Sequence, residues 1–157
     1  MKSKAVLTGL LILLVFTSFS FKCNGGPPAD NHPLRPAAQA AGDIAEGIKA
    51  MTKIKRALAK SGALKPAEER PLNDALLKLV AADRAFVKEI KALKSASDLN
   101  ANKSKLCVLF AGLTSALSDV NSGLLPIGDA NAKGQLATAL ATIMNLLPAI
   151  TTGLACA

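Results

Sequence analysis

Large apolar residues recur at alternating steps of three and four along most of the chain. The clearest series lies in the third of four predicted helices and contains Leu106, Phe110, Leu113, Leu117 and Val120. Such steps return to the same side of an α-helix, so the series forms one apolar seam. A seam is stable only when other seams cover it, and the chain is thereby constrained to a bundle of helices.

The other predicted helices carry seams with related spacing. The second contains Leu72, Leu76, Leu79, Phe86, Ile90 and Leu93, with Asp83 interrupting the series. The fourth contains Leu136, Leu140, Ile143, Leu147, Ile150 and Leu154. The first is weaker and contains Ile44, Ile48, Met51 and Leu58, interrupted by Lys55. Four seams of this kind can bury one another in a single core.

Prolines, glycines and capping residues set the expected helix boundaries. We predict helices from Pro36 to about Lys60, Pro66 to about Ser95, about Ala101 to Ser122, and onward from an N-cap at Asp129. Short loops make sequential helices antiparallel neighbours. The predicted fold is therefore all-α, an up-down-up-down antiparallel four-helix bundle in residues 36–157.

The last helix also permits a different interpretation. Residues 134–157 carry no charge and are long enough to cross a membrane. One face is nevertheless polar and contains Gln135, Thr138, Thr142, Asn145 and Thr152. This amphipathicity favours a soluble bundle, with a helical hairpin in a membrane as the alternative. Pro148 is expected to kink the helix.

The N-terminal region has the pattern of an export signal. Lys2 and Lys4 precede an apolar run over residues 5–16 that is short for a membrane span. We assign residues 1–22 to a signal peptide and residues 23–35 to a flexible, Gly/Pro-rich tether. The predicted location is outside the cytosol: periplasmic, at the cell surface or secreted.

Two cleavage sites remain open. Cleavage after Ser20 gives a secreted chain that begins at Phe21. Cleavage before Cys23 resembles the bacterial lipoprotein pattern, in which a cysteine closely follows the apolar run, and this resemblance implies a lipid on Cys23. The chain departs from that pattern because Lys22, and not a small residue, precedes the cysteine.

The other two cysteines are candidates for a disulfide. Cys107 lies near the start of the third helix and Cys156 near the end of the fourth, and antiparallel neighbours bring those ends together. Thiols outside the cytosol tend to pair, so we predict a Cys107–Cys156 bond. Cys23 is then the odd cysteine, as expected of a residue that carries a lipid.

The register of that bond is imperfect for straight helices. A turn centred near Pro126 would set Cys107 opposite Asn145, about 16 Å from the level of Cys156 at the helical rise. A disulfide requires Cα atoms within about 7 Å. We expect Gly153 to end the helix in a left-handed conformation and the last residues to fold back.

The sequence offers no catalytic constellation. His32 is the one histidine and lies in the tether, where nothing rigid would orient a general base. The Glu-x-x-His pairs of di-iron bundles do not occur. We therefore predict neither enzymatic activity nor a metal or cofactor. Asp83 is expected to pair with a basic residue or to reach water, with a ligand-binding role as a lesser alternative.

Basic residues form a second pattern. Removing Lys2, Lys4 and Lys22 from the 19 Lys and Arg leaves 16 against 11 acidic residues, a net charge of +5. Two predicted helix faces carry much of this charge, on Lys49, Lys53, Arg56 and Lys60 and on Arg84, Lys88, Lys91 and Lys94. Such stripes are usually solvated helix backs, but they also suit an anionic membrane or polymer surface. Nucleic acid is disfavoured because Tyr and Trp are absent.

These patterns predict a non-catalytic interaction or structural module of the cell envelope. Its expected partner is an envelope protein or an anionic membrane or polymer surface, and its oligomeric state is open. The alternative is a carrier that binds an apolar ligand between its helices. That function would need a cavity beside the small residues Ala75, Ala82, Gly112 and Ala116.

Overall fold

The computed structural model of the protein describes residues 34–93 and 96–156. The predicted signal peptide and nearly all of the tether lie outside these residues. The described chain forms five helices and no strand: α1 (Arg35–Ser61), α2 (Pro66–Ala92), α3 (Ala96–Gly123), α4 (Ala130–Met144) and α5 (Leu147–Leu154). The all-α prediction is confirmed.

The helices form a four-sided bundle in which α4 and α5 share the fourth side. Helix α1 packs against α2 on one flank and against α4 and α5 on the other, while α2 packs extensively against α3. Helix α3 contacts α4 and α5 more sparingly. Sequential helices are thus neighbours and the chain returns to α1, which is the predicted up-down-up-down arrangement.

Two glycines show how closely α1 approaches the last two helices. A Cβ atom added to Gly47 would lie 2.6 Å from Ile143 Cγ1, and one added to Gly153 would lie 3.1 Å from Ala37 Cβ. From Ala37 to Gly47, α1 advances by ten residues, whereas their partners go back by ten residues, from Gly153 to Ile143. They fix an antiparallel register in which a larger side chain at Gly47 would displace Ile143.

The apolar seams form the core as predicted. Buried seam residues of α1 and α2 are Ile44, Ile48, Met51, Leu58, Leu72, Leu76, Leu79, Phe86 and Ile90. Those of α3 to α5 are Leu106, Phe110, Leu113, Leu117, Val120, Leu136, Leu140, Ile143, Ile150 and Leu154. The two polar interruptions, Lys55 and Asp83, are buried with them. Leu93 and Leu147 are partly buried against the same core.

Helix ends follow the local signals in the sequence at several positions. Helix α1 ends at Ser61, and Gly62 adopts a left-handed conformation with φ of 78°. Asp129 caps α4 through its carboxylate, which accepts a hydrogen bond of 2.8 Å from the backbone N–H of Ala132. Both devices satisfy backbone groups that lack partners at a helix terminus.

Other boundaries differ from the predictions. Helix α2 ends at Ala92, before the predicted Ser95, and α1 begins at Arg35. Helix α3 begins at Ala96, so residues 97–100, which precede the predicted start near Ala101 and include the turn-forming types Ser, Asp and Asn, are helical. Leu99 packs against the core and the Asn102 side chain donates to the Asp98 carbonyl, and these contacts outweigh the turn preference of the stretch.

The expected kink at Pro148 is a break between two helices. Helix α4 ends at Met144, and α5 starts at Leu147 with Pro148 in its first turn. Proline has no N–H to donate, and its ring would clash with the carbonyl four residues earlier. A first-turn position avoids both costs, because the first N–H groups of a helix have no intrahelical partner.

The loop between α3 and α4 lies against the first turns of α2. A Cβ atom on Gly123, where α3 ends, would lie 3.4 Å from the Leu72 backbone, whereas the N–H of Gly128 donates to Glu68 over 3.0 Å. Leu72 lies one helical turn further into α2 than Glu68, about 6 Å along the axis. The loop therefore continues past the end of α3 before α4 begins, and residues of α3 and α4 do not pair symmetrically about Pro126.

Within residues 34–93 and 96–156, two segments are long and apolar enough to cross a membrane, judged by length and composition: Asp98–Gly123 and Ala130–Leu154. Core helices of soluble proteins meet the same criterion. In this bundle the apolar seams of both segments face the core. The five polar residues predicted on the outer face of the last helix, Gln135, Thr138, Thr142, Asn145 and Thr152, are exposed.

Substitutions on and off a seam should separate the buried face from the solvent face. Leu113→Asp or Leu140→Asp places an unpaired charge at a site that is at most 2% exposed. Its cost of several kcal/mol is comparable with the whole stability of a small domain, so we expect the bundle to unfold. Lys91→Asp, at an exposed site of α2, should leave folding nearly unchanged. Thermal melting followed by circular dichroism measures the difference, and equal melting temperatures would contradict the assignment of faces.

Candidate functional site

The α1 stripe predicted from the sequence is a row of exposed basic side chains. Lys49, Lys53, Arg56 and Lys60 are all exposed. They follow one another at steps of four, three and four, so they share the outer face of α1 over about 16 Å. Helix geometry puts the Cβ atoms of successive members about 5–6 Å apart, within the physiological screening length of about 8 Å, so their potentials reinforce one another.

The second stripe forms a similar row on α2. Arg84, Lys88 and Lys91 are exposed. Lys94 was predicted to extend this row, but it lies outside the described residues and stays a prediction. Together, the four residues of the α1 row and these three residues are called the basic band below.

The two rows approach each other at Asp83. Lys49, at one end of the α1 row, and Arg84, at the start of the α2 row, both act electrostatically on the Asp83 carboxyl group. Because α1 and α2 are antiparallel, the rows extend from this point toward opposite ends of the bundle. The basic band therefore consists of one row on α1 and one on α2, whose near ends are both within electrostatic reach of Asp83.

Few acidic groups neutralise this band. Among the described residues, Lys49 is the one band member in an ion pair, with Glu46 at 2.6 Å on the exposed surface. The acids that link α2 and α3 pair with basic residues outside the band, in the bridges Lys78–Asp119 and Lys105–Glu89. Six of the seven band charges are thus available to an external anion.

An exposed leucine lies in line with the α2 row. Leu77 is 68% exposed and precedes Arg84 by seven residues, which is two helical turns. The side chains of Leu77, Arg84 and Lys91 therefore project from the same face. A large apolar group among basic ones suits a surface that is both anionic and apolar, such as the headgroup region of a membrane.

Lys55 is a buried base whose ammonium group has two hydrogen-bond partners. Its ammonium donates to Glu69 Oε1 at 2.9 Å and also to Asn73 Oδ1, both on α2. This donation holds the pKa of Glu69 below its usual value. The buried Lys55 therefore links α1 to the start of α2, and it does not contribute to the exposed basic band.

Glu68 and Glu69 have structural roles that the sequence did not reveal. Glu68 accepts hydrogen bonds from the N–H groups of Lys65 and Gly128, which lower the pKa of its carboxyl group. It thereby joins the start of α2 to the loop before α4. Neither bond was predicted from the sequence. The N3 position of Glu68 in α2 is a local signal for its bond to Lys65, whereas no sequence signal indicates the contact with Gly128.

Asp83 is the buried acid that lacks such partners. The residue is 5% exposed, and Oδ1 has no hydrogen-bond partner among the described residues. Burial raises the pKa of Asp83 from its ordinary 3.8 to about 6, and the positive charges of Arg84 and Lys49 oppose this rise only in part. The expected ion pair with a basic residue is therefore not formed: the two cations act at a distance.

Cys107 and Cys156 are joined by a disulfide, with Cα atoms 5.6 Å apart. The route to this bond differs from the expected one. Helix α5 continues through Gly153 to Leu154, and the left-handed residue is Ala155, with φ of 47°. The loop before α4, which extends past the end of α3, supplies part of the shift in register. The bond links α3 to the residues just after α5. The packing of α3 against α4 and α5 is sparser than the packing between the other neighbouring helices, so the disulfide reinforces the weakest side of the bundle.

The remaining sequence candidates do not form a site in the described structure. Cys23 lies outside the described residues, and its lipid stays a prediction. Of the residues invoked for a ligand cavity, Ala75 and Ala116 are buried in the core, Ala82 is partly buried and Gly112 is exposed with open space beside it. In residues 34–93 and 96–156, no three His, Cys, Asp or Glu side chains are grouped as metal ligands would be.

Comparison with known proteins supplies no relative for this chain. It matches no protein-family model, no curated protein and no solved structure. Its function is therefore inferred from the arrangement of its own side chains.

The buried carboxylate predicts an unusual dependence of stability on pH. Since the pKa of Asp83 is about 6 in the fold and near 4 in the unfolded chain, the folded protein holds a proton between these values that the unfolded chain releases. The Asp83 contribution to the free energy of unfolding therefore falls as pH rises from 4 to 6 and stays low above that. Asp83→Asn should stabilise the protein by about 1–3 kcal/mol at pH 7.5, and the gain should nearly vanish at pH 4.

Urea unfolding at the two pH values measures this difference. Asp74→Asn is the matched control, because Asp74 lies on the same helix and is exposed. A stabilisation by Asp83→Asn that is equal at pH 4 and pH 7.5 would contradict the buried, unpaired carboxylate.

Proposed function

We propose that the protein is a non-catalytic, exported helical-bundle module of the cell envelope whose α1–α2 face binds an anionic phospholipid surface. The observation that carries this proposal is the basic band, in which six of the seven described cations have no ion-pair partner. Each Lys or Arg held near an anionic membrane contributes about 1 kcal/mol of attraction. Several together suffice for reversible binding.

The exposed Leu77 favours phospholipid over a purely polar polyanion. Its side chain projects beside Arg84, where it can enter the boundary between headgroups and acyl chains while the basic groups contact phosphates. A polymer such as an acidic polysaccharide would use the charges but offers no apolar layer for Leu77. The phospholipid surface therefore accounts for both features of this face.

Export is supported by the signal-like N-terminal sequence and by the disulfide. Bonds such as Cys107–Cys156 persist in oxidising compartments and are rare in the cytosol. A lipid on Cys23 would complement the basic band, because stable membrane anchoring takes two signals, such as a lipid chain and a basic surface. The 11 residue-to-residue steps from Cys23 to Leu34 could hold the bundle within about 40 Å of that lipid.

Co-sedimentation with vesicles tests the proposal. The protein is expressed from its full coding sequence with Cys23→Ser, which excludes a lipid at that position. The exported, processed protein is then purified. It should bind vesicles of phosphatidylcholine with 30% phosphatidylglycerol, but hardly bind phosphatidylcholine alone. Lys53→Glu combined with Lys88→Glu should weaken binding at least 30-fold, since two attractive charges become repulsive.

A matched double variant controls for net charge. Lys103→Glu with Lys133→Glu makes the same change of charge on α3 and α4, away from the basic band, and should weaken binding much less. Equal losses for the two double variants would contradict a specific face. Binding to a soluble polyanion without binding to the mixed vesicles would identify a polymer, and not a membrane, as the partner.

A further inference from the structure

Asp83 occupies a distinctive place beneath the basic band. It is 5% exposed, its Oδ1 has no partner, and it lies within electrostatic reach of Lys49 from the α1 row and Arg84 from the α2 row. A charge on this carboxylate therefore offsets positive charge where the two rows meet. Its loss leaves the centre of the band more positive.

Other ionisable groups add little at this position. From α1, Lys49 acts on Asp83, with Glu46 bonded to that lysine, and from α2 the acting group is Arg84. The part of α3 that packs alongside, residues 106–118, contains no charged side chain. Residues 134–156, which include α5 and most of α4, contain none either. The Asp83 proton therefore controls the local charge largely by itself.

We propose that protonation of Asp83 regulates the binding of the basic band to anionic phospholipid, with tight binding when the carboxyl group is neutral and weaker binding when it is charged. This inference rests on the proposed function and deepens it. The carboxylate is removed from solvent, so salt screens its effect on Lys49 and Arg84 less than it screens charges on the surface. One buried proton can thus change the attraction of an exposed face.

The carboxyl group of Asp83 changes charge at mildly acidic pH. The pKa of Asp83 is about 6 because burial disfavours the charged form. Mild acidification from pH 7.5 to 5 therefore neutralises the carboxyl group. Linkage requires the reciprocal effect, in which binding to an anionic surface raises the pKa of Asp83 further.

Vesicle binding at two pH values tests the inference. All proteins carry Cys23→Ser and His32→Gln, so that neither a lipid nor the one histidine contributes to the pH dependence. Each is purified in its exported, processed form. With 30% phosphatidylglycerol vesicles, the protein with Asp83 should bind about fivefold more tightly at pH 5 than at pH 7.5, as expected for one charge. Asp83→Asn should bind tightly at both, and Asp74→Asn should retain the pH dependence.

A second measurement follows the proton directly. The ¹³C signal of the Asp83 carboxyl group is titrated with and without phosphatidylglycerol bicelles, and its midpoint should rise when they are present. Circular dichroism at both pH values should show the same helical signal for every variant. This check separates a change of binding from a change of folding.

The outcomes distinguish the two proposals. Equal affinity of the Asp83 protein at pH 5 and pH 7.5, an unchanged pH dependence in Asp83→Asn, or an unshifted carboxyl midpoint would overturn the regulatory role alone. Absence of binding to the anionic vesicles at both pH values would overturn the proposed membrane function, and the regulatory role with it.

Discussion

Burial of the apolar seams is the constraint on which the rest of the structure depends. Each seam covers the others, and charged side chains are accommodated on the outer faces. The basic residues of α1 and α2 thus form exposed rows because they lie opposite or beside those seams. The proposed binding surface is a consequence of the same periodicity that forms the core.

In the part of the chain that the structure describes, two ionisable groups are buried in the core, and only one of them has partners that compensate its charge. Lys55 reaches Glu69 and Asn73 across the α1–α2 contact, so its charge is compensated. Asp83 has no such partner for Oδ1, and its burial shifts its proton equilibrium instead. A group that violates a packing rule without local compensation is a candidate for a functional role. This contrast between Lys55 and Asp83 motivates the regulatory proposal.

The sequence predicted local features better than long-range ones. The seams, the end of α1 at Gly62 and the cap at Asp129 follow from residue spacing and backbone preferences. The early start of α3 did not, because packing of Leu99 overrides the turn preference of its neighbours. Likewise, the bond between Glu68 and Gly128 joins residues 60 positions apart, and it fixes the end of the loop whose register against α3 was expected to be symmetrical. Such tertiary contacts have no periodic signature.

The sequence likewise predicted the local features of the candidate site, but not its long-range ones. Helical spacing predicted that seven described basic residues would be exposed in two rows, but not that the rows would approach each other at Asp83. That relation depends on the register of α1 against α2, which neither helix specifies alone. The burial of Asp83 followed from its place in the seam, whereas the absence of a direct ion pair depends on where Lys49 and Arg84 project.

The orientation of the bound protein is the most direct test of this account. Spin-labelled lipid headgroups in phosphatidylglycerol bicelles broaden the NMR signals of nearby backbone amides. The account predicts the strongest broadening at Lys53, Arg84 and Lys88, with the amides of Thr138 and Thr142 on α4 nearly unaffected. Strongest broadening at Thr138 and Thr142 would contradict it, because the uncharged helices, and not the basic band, would then face the lipid.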